Sequence, residues 1–139
     1  MSWHAVAPVL AKFSSADFGL VFGIDLATYD RFPGRLEILE GRNSLQGNEV
    51  IVDDLYAMSH KVSPGMTVEI LGRKFTISAI CRRGSVVRVF VPLATLQQMN
   101  GTEDKVTIMF IKAVPGADVE NVFRELRRTY PGLALVRTT

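Results

Sequence analysis

The chain has 139 residues, of which 47 % are hydrophobic and 22 % are charged, a composition typical of an ordered globular protein. Its formal net charge of +2 does not favour a nucleic-acid or anionic-membrane binder. The single cysteine excludes an intramolecular disulfide framework and a cysteine-based metal cluster. No apolar run is long enough to span a bilayer, and the N-terminus lacks the basic and apolar regions of a secretion signal. The length predicts one domain or two small lobes.

The N-terminal part predicts two strands with a polar connection. Residues 3–11 are short and apolar, as at the end of a strand, and a polar loop is expected from Lys12 to Phe18. Leu20–Ile24 is a continuous apolar run and predicts a buried strand, followed by a short helix or turn around residues 27–32. The turn-rich Gly41-Arg42-Asn43 marks the expected boundary between two lobes.

A strand and a short helix are predicted next. Glu49–Val52 is apolar after its first residue, and Asp53 can cap a helix that follows it. The apolar positions of this helix at helical spacing are Leu55, Met58 and Val62. This spacing is the one that places apolar side chains on one face of a helix.

The strongest local pattern is a hairpin after the Pro64-Gly65 turn signal. One face of its first strand carries Met66, Val68 and Ile70. One face of its second strand carries Phe75, Ile77, Ala79 and Cys81. Gly72-Arg73 predicts the tight turn between them, as a type II′ turn with glycine first. A hairpin with this alternation is expected to bury one side.

Further elements follow towards the C-terminus. Val86–Val91 predicts a strand, and Pro92 opens a helix with the apolar face Leu93, Leu96 and Met99, ended by Asn100-Gly101. Lys105–Ala113 is apolar on both faces, which is typical of a strand in the centre of its sheet.

The clearest helix of the sequence begins after Asp118, which can cap it. Its apolar stripe consists of Val119, Val122, Phe123, Leu126 and Tyr130. Arg124, Arg127 and Arg128 lie off this stripe. Leu133–Val136 predicts a returning strand, so that the last third is a strand–helix–strand unit.

The order of these pieces resembles the periplasmic core domain of MacB/FtsX-type ABC transporter permeases. The matching segments extend over nearly the whole chain and are Val6–Val9, Val21–Asp25, Gly41-Arg42, Asn48–Val52, Pro64-Gly65 with Val68 and Ile70, Phe75–Ile77 and Val91–Leu93. Met66 departs from the pattern, since the family commonly has an acidic residue after the turn glycine. The resemblance implies an α+β fold with two lobes. Residues 1–40 and 105–139 would form a discontinuous porter-like lobe, and residues 41–104 an inserted, mostly β lobe with one or two short helices.

The resemblance also implies a setting and partners. The domain would lie at the periplasmic or extracytoplasmic face of the membrane, as a loop between transmembrane helices of a parent permease. Its partners would be an ABC ATPase subunit or domain, a second permease copy in a dimer, and a periplasmic adaptor or substrate protein. Its role would be non-catalytic: it would couple an ATP-driven conformational change to substrate export or to a partner protein outside the membrane.

The residues themselves do not predict catalysis, a cofactor site or a metal site. His4 and His60 have no partners at metal-ligand spacing. Asp53 and Asp54 are consecutive and point apart, so helix capping explains Asp53 better than paired catalytic carboxylates do. Cys81 is expected to be a buried, inert thiol, and a reactive thiol beside the following arginines is the alternative. The sequence contains neither a phosphate-binding glycine loop nor a nucleophile elbow. We therefore predict that the chain is not an enzyme.

Arg82, Arg83 and Arg88 form the strongest local charge feature. They are the candidates for a contact with a partner protein or with anionic lipid headgroups. The simpler interpretation is a solvated loop that keeps a strand edge soluble. Nucleic acid is not predicted, because exposed aromatic residues do not alternate with these arginines. The alternative for the whole chain is a stand-alone extracytoplasmic module that binds a small molecule or peptide.

Overall fold

A computed structural model describes residues 3–14, 19–30, 36–84, 87–101, 108–113 and 118–129. The elements in chain order are β1 (Trp3–Ser14), β2 (Gly19–Ile24), α1 (Leu26–Tyr29), β3 (Ile38–Gly41), β4 (Glu49–Asp53), α2 (Asp54–His60), β5 (Thr67–Ile70), β6 (Arg73–Cys81), β7 (Val89–Pro92), α3 (Leu93–Asn100), β8 (Ile108–Ala113) and α4 (Val119–Thr129). The strands form one mixed sheet, and the predicted α+β class is confirmed.

The chain divides into two compact units, one comprising Met1–Val6 with Ile111–Thr139 and the other Ala7–Phe110. The described strands are ordered β3-β6-β4-β7-β2-β1-β8, and β5 also pairs with β6. β2 runs parallel to β7 and β4 runs parallel to β6, whereas β1–β2, β3–β6, β4–β7 and β5–β6 are antiparallel. The lobes expected at 1–40 with 105–139 and at 41–104 stay a prediction. The pairing of β2 with β7 joins strands from both of these expected lobes.

The sheet of the larger unit is buried on both faces. On the face that α2 and α3 cover, Val50 and Val52 of β4 pack with Leu96 of α3. On the opposite face, Ile51 of β4 packs with Phe90 of β7. Successive residues of β4 therefore alternate between two cores, as a strand with both faces covered requires.

A β-bulge at Ser78 interrupts the alternation of β6. Ile77 pairs with Val50 and Ala79 pairs with Ile51, so the register with β4 omits Ser78. One extra residue on the bulged strand inverts the facing of every side chain that follows it. The two halves of β6 consequently contribute to different cores.

This bulge corrects the prediction for the second strand of the hairpin. Phe75 and Ile77 are buried on the face covered by α2 and α3, whereas Ala79 and Cys81 are buried on the opposite face. The prediction that all four side chains share one face is therefore wrong beyond Ile77. Apolar and polar residues alternate without a break from Phe75 to Ala79. The sequence therefore gives no sign that Ser78 is an extra residue in the pairing with β4.

The loop after β3 is fastened to the bulge. The backbone N–H of Arg42 donates to the Ser78 carbonyl at 2.8 Å, and the Ser78 hydroxyl donates to the Ser44 carbonyl at 2.6 Å. Gly41 lies against the same place with a φ of +87°, and a Cβ atom there would be 2.3 Å from the Ser78 carbonyl oxygen and 2.8 Å from the Ala79 Cα. Only glycine fits this position without a shift of the backbone.

The hairpin turn lies one residue earlier than expected. Ile70 pairs with Arg73, so the central residues of the turn are Leu71 and Gly72, with φ angles of 53° and 80°. Two positive φ angles define a type I′ turn, and the predicted type II′ turn at Gly72-Arg73 is wrong. The last residue of β5, Ile70, is 0 % exposed and pairs with Arg73. Met66, which was predicted to share a face with Ile70, precedes β5 and is exposed.

The predicted cap of α2 is confirmed, but its buried face does not follow the apolar spacing. The Asp53 side chain accepts a hydrogen bond of 2.8 Å from the Tyr56 N–H. Tyr56 and Ala57 are buried, whereas Met58 is 64 % exposed. The helical spacing of Leu55, Met58 and Val62 therefore does not mark the buried face of α2, which carries the larger aromatic ring of Tyr56.

Other element ends agree with the sequence to within a few residues. β1 continues to Ser14, so residues 12–14 belong to the strand and not to the polar loop expected from Lys12, and the rest of that expected loop lies outside the described residues. β7 begins at Val89, later than the expected Val86. α3 ends at Gly101 in the left-handed conformation, as predicted. The cap of α4 is also confirmed, since the Glu120 N–H donates to the Asp118 side chain at 3.1 Å.

Some predictions lie outside the described residues. They are the first residues of the expected strand Lys105–Ala113 and the returning strand Leu133–Val136. The described part of the former strand is β8, which comes last in the strand order. Among the described strands, β8 has β1 as its one neighbour, so they do not support the prediction that it lies in the centre of the sheet.

Candidate partner-contact surface

The three arginines extend from strand ends at one end of the sheet. Arg82 and Arg83 follow β6 directly, and Arg88 precedes β7 directly. β4 lies between these two strands and ends at Asp53, with Asp54 next in the chain. The topology therefore brings carboxylates from the end of β4 between arginines from its two neighbours.

Arg88 and Asp53 form an enclosed ion pair. The distance from Arg88 Nη1 to Asp53 Oδ2 is 2.8 Å, and the side chains are 18 % and 0 % exposed. The Asp53 N–H also donates to the Arg88 carbonyl at 2.9 Å, while the other carboxylate oxygen accepts the capping bond from Tyr56. One buried carboxylate thus caps α2 and balances the charge of Arg88, which is the condition under which a buried charge is tolerated.

The side chains of the other two arginines form exposed pairs with two hydrogen bonds each, and the Arg83 N–H also donates to Asp54 Oδ1 at 3.2 Å. Arg82 Nε and Nη2 donate to the Glu37 carboxylate at 2.8 and 3.4 Å. Arg83 Nε and Nη2 donate to the Asp54 carboxylate at 3.0 and 3.3 Å. The side-chain hydrogen bond from Arg83 is the main reason why the pKa of Asp54 lies below its usual value. Arginine presents its donors in a planar fork that matches a carboxylate in this way.

In the folded chain, the positive charges of Arg82, Arg83 and Arg88 are therefore balanced by neighbouring carboxylates. Each arginine has a carboxylate partner, at sequence separations of 45 residues for Arg82, 29 for Arg83 and 35 for Arg88. Sequence reasoning missed Glu37 as a member of this cluster, because no local pattern connects residues so far apart. Arg82 and Arg83 remain exposed and Arg88 is mostly enclosed. The role of these arginines as a partner contact stays a prediction.

Cys81 lies beside this cluster with its side chain buried at 1 % exposure, so the burial predicted for it is confirmed. Burial, and then the nearby charge of Asp53, raise the pKa of the Cys81 thiol to about 12. The thiolate is the reactive form of cysteine. A reactive thiol beside the arginines is therefore not supported.

We expect Cys81 to resist a thiol reagent in the native chain at pH 8 and to react at once in denaturant. Because its pKa rises from 9.0 to about 12 on folding, the stability linked to this thiol is complete below pH 9 and is lost between pH 9 and about pH 12. The measurement is the rate of modification by a disulfide reagent with and without urea. Native labelling as fast as that of a free thiol would contradict the expectation.

The histidines and the acidic residues form no site of their own in the described part of the chain. His60 stacks on Tyr56 at 3.9 Å between ring centroids, and its Nδ1 lies 3.1 Å from the Tyr56 carbonyl oxygen. The side chain of His4 lies outside the described residues. Within the described ranges, potential metal ligands do not gather in groups of three or more. In the same ranges, none of the helices has the length and apolar character that crossing a bilayer requires.

A family model described as the MacB-like periplasmic core domain matches residues 4–129. The chain belongs to this family. The resemblance expected from the sequence is thereby confirmed. No curated protein matches the chain. The MacB-like match covers both the arginine cluster and the strands that carry it.

Solved structures share the fold of this MacB-like domain. The periplasmic region of MacB from Actinobacillus actinomycetemcomitans matches with a TM-score of 0.68 and 17 % identity, over 92 % of this chain and 66 % of the other. The extracellular domain of the ABC-type transporter YknZ from Gram-positive bacteria matches with a TM-score of 0.72 and 17 % identity, over 94 % and 78 %. A domain assigned to a permease protein from Porphyromonas gingivalis matches with a TM-score of 0.67 and 13 % identity, over 94 % and 70 %. The chain thus spans just under two thirds of the MacB periplasmic region.

These findings establish what kind of domain the chain is. It is a periplasmic domain of the type carried by MacB-like ABC transporter permeases. At identities of 13 to 17 %, the structures support the fold and do not transfer a substrate or a partner.

Proposed function

We propose that this MacB-like domain transmits ATP-driven movement of a parent permease to a substrate or partner protein outside the membrane. The observation that carries the proposal is the match of the family model to residues 4–129. The domain itself would contribute shape and stiffness, and the hydrolysis of ATP would belong to a separate ATPase subunit or domain. A second permease copy would complete the dimer.

The packing of the larger unit supports a mechanical role. Its sheet has a close-packed core on each face, and Val50, Ile51 and Val52 of β4 are all 0 % exposed. Close-packed interiors have low compressibility and pass on a displacement. The three arginine–carboxylate pairs join the ends of β4, β6 and β7 and the residue before β3. An extended element fixed in this manner can act as one rigid body in a domain movement.

The proposal predicts a nucleotide-dependent distance between two copies of the domain in the full-length permease. A cysteine at the exposed position 98 of α3 (Gln98→Cys) would carry a spin label, while the native Cys81 is buried and would stay unlabelled. We expect the label–label distance in the membrane-embedded dimer to change between the ATP-bound and the nucleotide-free state. An ATPase variant that cannot bind ATP is the matched control and should not show the change.

Two results would contradict the proposal. The first is a label–label distance that stays the same in every nucleotide state while the ATPase is active. The second is a native reading frame without membrane-crossing segments on either side of this domain, which would favour the stand-alone binding module. Both results can be obtained without knowledge of the substrate.

A further inference from the structure

The sulfur-containing side chains of the described residues differ widely in their access to solvent. Met58 on α2 is 64 % exposed, and Met66, just before β5, is 46 % exposed. Met99 of α3 is partly buried and packs against the core on the side of the sheet that α2 and α3 cover. Cys81 is buried. An oxidant dissolved in water therefore meets the thioether groups of Met58 and Met66 before the other two sulfur atoms.

Met66 is the last residue of a turn that also holds its side chain. Its N–H donates to the Ser63 carbonyl at 3.1 Å, and Gly65 between them has a φ of +93°, which the third position of a type II turn requires. The Ser63 hydroxyl donates to Met66 Sδ at 3.4 Å. A thioether is a weak acceptor, and this hydrogen bond occupies a lone pair with which the sulfur would attack an oxidant. The Met66 sulfur is therefore less reactive than its exposure alone indicates.

The Met58 sulfur lacks a restraint of this kind. α2 buries Tyr56 and Ala57, and Met58 extends from its exposed side. In the part of the chain that the structure describes, its sulfur accepts no hydrogen bond. The thiol of Cys81 does not compete for the oxidant, because it is buried and its pKa is raised to about 12.

We propose that Met58 and Met66 are the sites at which oxidants of the peroxide class modify this domain, and that Met58 reacts first. The sulfur donates an electron pair to one oxygen of hydrogen peroxide, and the O–O bond breaks. The departing hydroxide takes the proton of the transferred oxygen, so that the thioether is oxidised to a sulfoxide and the peroxide is reduced to water. A periplasmic domain lies outside the reducing cytosol and is open to such oxidants. The inference does not depend on the proposed transmission of movement.

The position of each sulfur decides whether its sulfoxide is tolerated. At Met58 the new polar group would extend into water. At Met66 the sulfoxide oxygen is a stronger acceptor than the thioether and can keep the hydrogen bond from the Ser63 hydroxyl. At Met99 the same polar group would lie against the core, where it would cost stability. An exposed sulfoxide is also accessible to methionine sulfoxide reductases, which restore the thioether.

The test is oxidation of the chain by hydrogen peroxide, with the product at each methionine followed by mass spectrometry. Each methionine lies in its own tryptic peptide, so Met1 and Met109, whose side chains are outside the described residues, do not disturb the comparison. In the native chain we expect Met58 to react about threefold faster than Met66 and at least about tenfold faster than Met99. In urea the three rates should become equal.

A serine substitution separates the effect of the hydrogen bond from that of exposure. Ser63→Ala removes the hydroxyl that donates to Met66 Sδ, and the Met66 rate should rise about threefold, to that of Met58. Ser59→Ala is the matched control, because Ser59 is exposed on α2 and its hydroxyl does not donate to a sulfur atom. This control should change both rates by less than about twofold.

The oxidised chain provides the second measurement. With Met58 and Met66 as sulfoxides, its urea unfolding curve should match that of the untreated chain. Treatment with reductases for both sulfoxide epimers should restore the original mass.

Three outcomes would overturn the inference. They are equal rates at Met58 and Met99 in the native chain, unfolding of the chain once Met58 and Met66 are oxidised, and an unchanged Met66 rate in Ser63→Ala. The comparison of Met58 with Met99 needs no substitution, so it stays decisive even if Ser63→Ala is unstable.

Discussion

Replacement of Gly41 by alanine is expected to lower the free energy of unfolding by about 3 kcal/mol or more. The new Cβ atom would be 2.3 Å from the Ser78 carbonyl oxygen and 2.8 Å from the Ala79 Cα, so backbone atoms would have to move. The φ of +87° at Gly41 adds the cost of holding a residue with a Cβ in the left-handed region. The measurement is urea unfolding of the wild-type and variant chains, followed by circular dichroism.

Gly65→Ala is the matched control for this prediction. Gly65 has a similar φ of +93°, but a Cβ atom there meets nothing within 4 Å. The control variant should therefore lose only the conformational part, about 1–2 kcal/mol. An equal loss of stability in both variants would show that close approach to the bulge at Ser78 is not the reason for glycine at position 41.

Replacement of Arg88 by methionine is the second large effect, with an expected loss of about 3–5 kcal/mol. Asp53 is 0 % exposed, and the substitution would leave its carboxylate enclosed without a cation. The double variant Arg88→Met with Asp53→Asn should lose less than the sum of the single losses, because asparagine can still cap α2 without a charge. Urea unfolding of the two single variants and the double variant measures the coupling.

The exposed pair of Arg82 and Glu37 provides the control for this cycle. Its side chains are 61 % and 63 % exposed, so Arg82→Met should change the free energy of unfolding by under about 1 kcal/mol. If Arg88→Met is as mild as Arg82→Met, enclosure does not increase the contribution of the ion pair to stability. If the losses of Arg88→Met and Asp53→Asn are simply additive, the two side chains do not act as a pair.

Local chemistry predicted the features of the chain that depend on neighbouring residues. Asp53 as a cap, Gly101 as a helix end and the apolar run of β2 each involve a few consecutive residues, and the structure contains them. Helical spacing alone does not mark the buried face of α2, because it does not show that Tyr56 has a larger surface to bury than Met58. The turn at Leu71-Gly72 was missed because leucine rarely adopts a positive φ.

Features that depend on distant residues could not be predicted from local patterns. The bulge at Ser78 is defined by the register with β4, and the same residue binds the Ser44 carbonyl 34 residues away. Likewise, the sequence shows Arg82 and Arg83 as uncompensated charge, because their partners Glu37 and Asp54 come together with them only in the sheet. The same holds for β3 and β5, which are separated in the chain and both pair with β6.

The two kinds of ion pair should give the domain an uneven response to its medium. Salt screens the attraction between charges at the protein surface, but it screens an enclosed ion pair much less. At high salt concentration we therefore expect the Arg82 side chain to release the Glu37 carboxylate, while Arg88 stays paired with Asp53. The side-chain link between the residue before β3 and the end of β6 would then depend on salt, whereas the link between β4 and β7 would not.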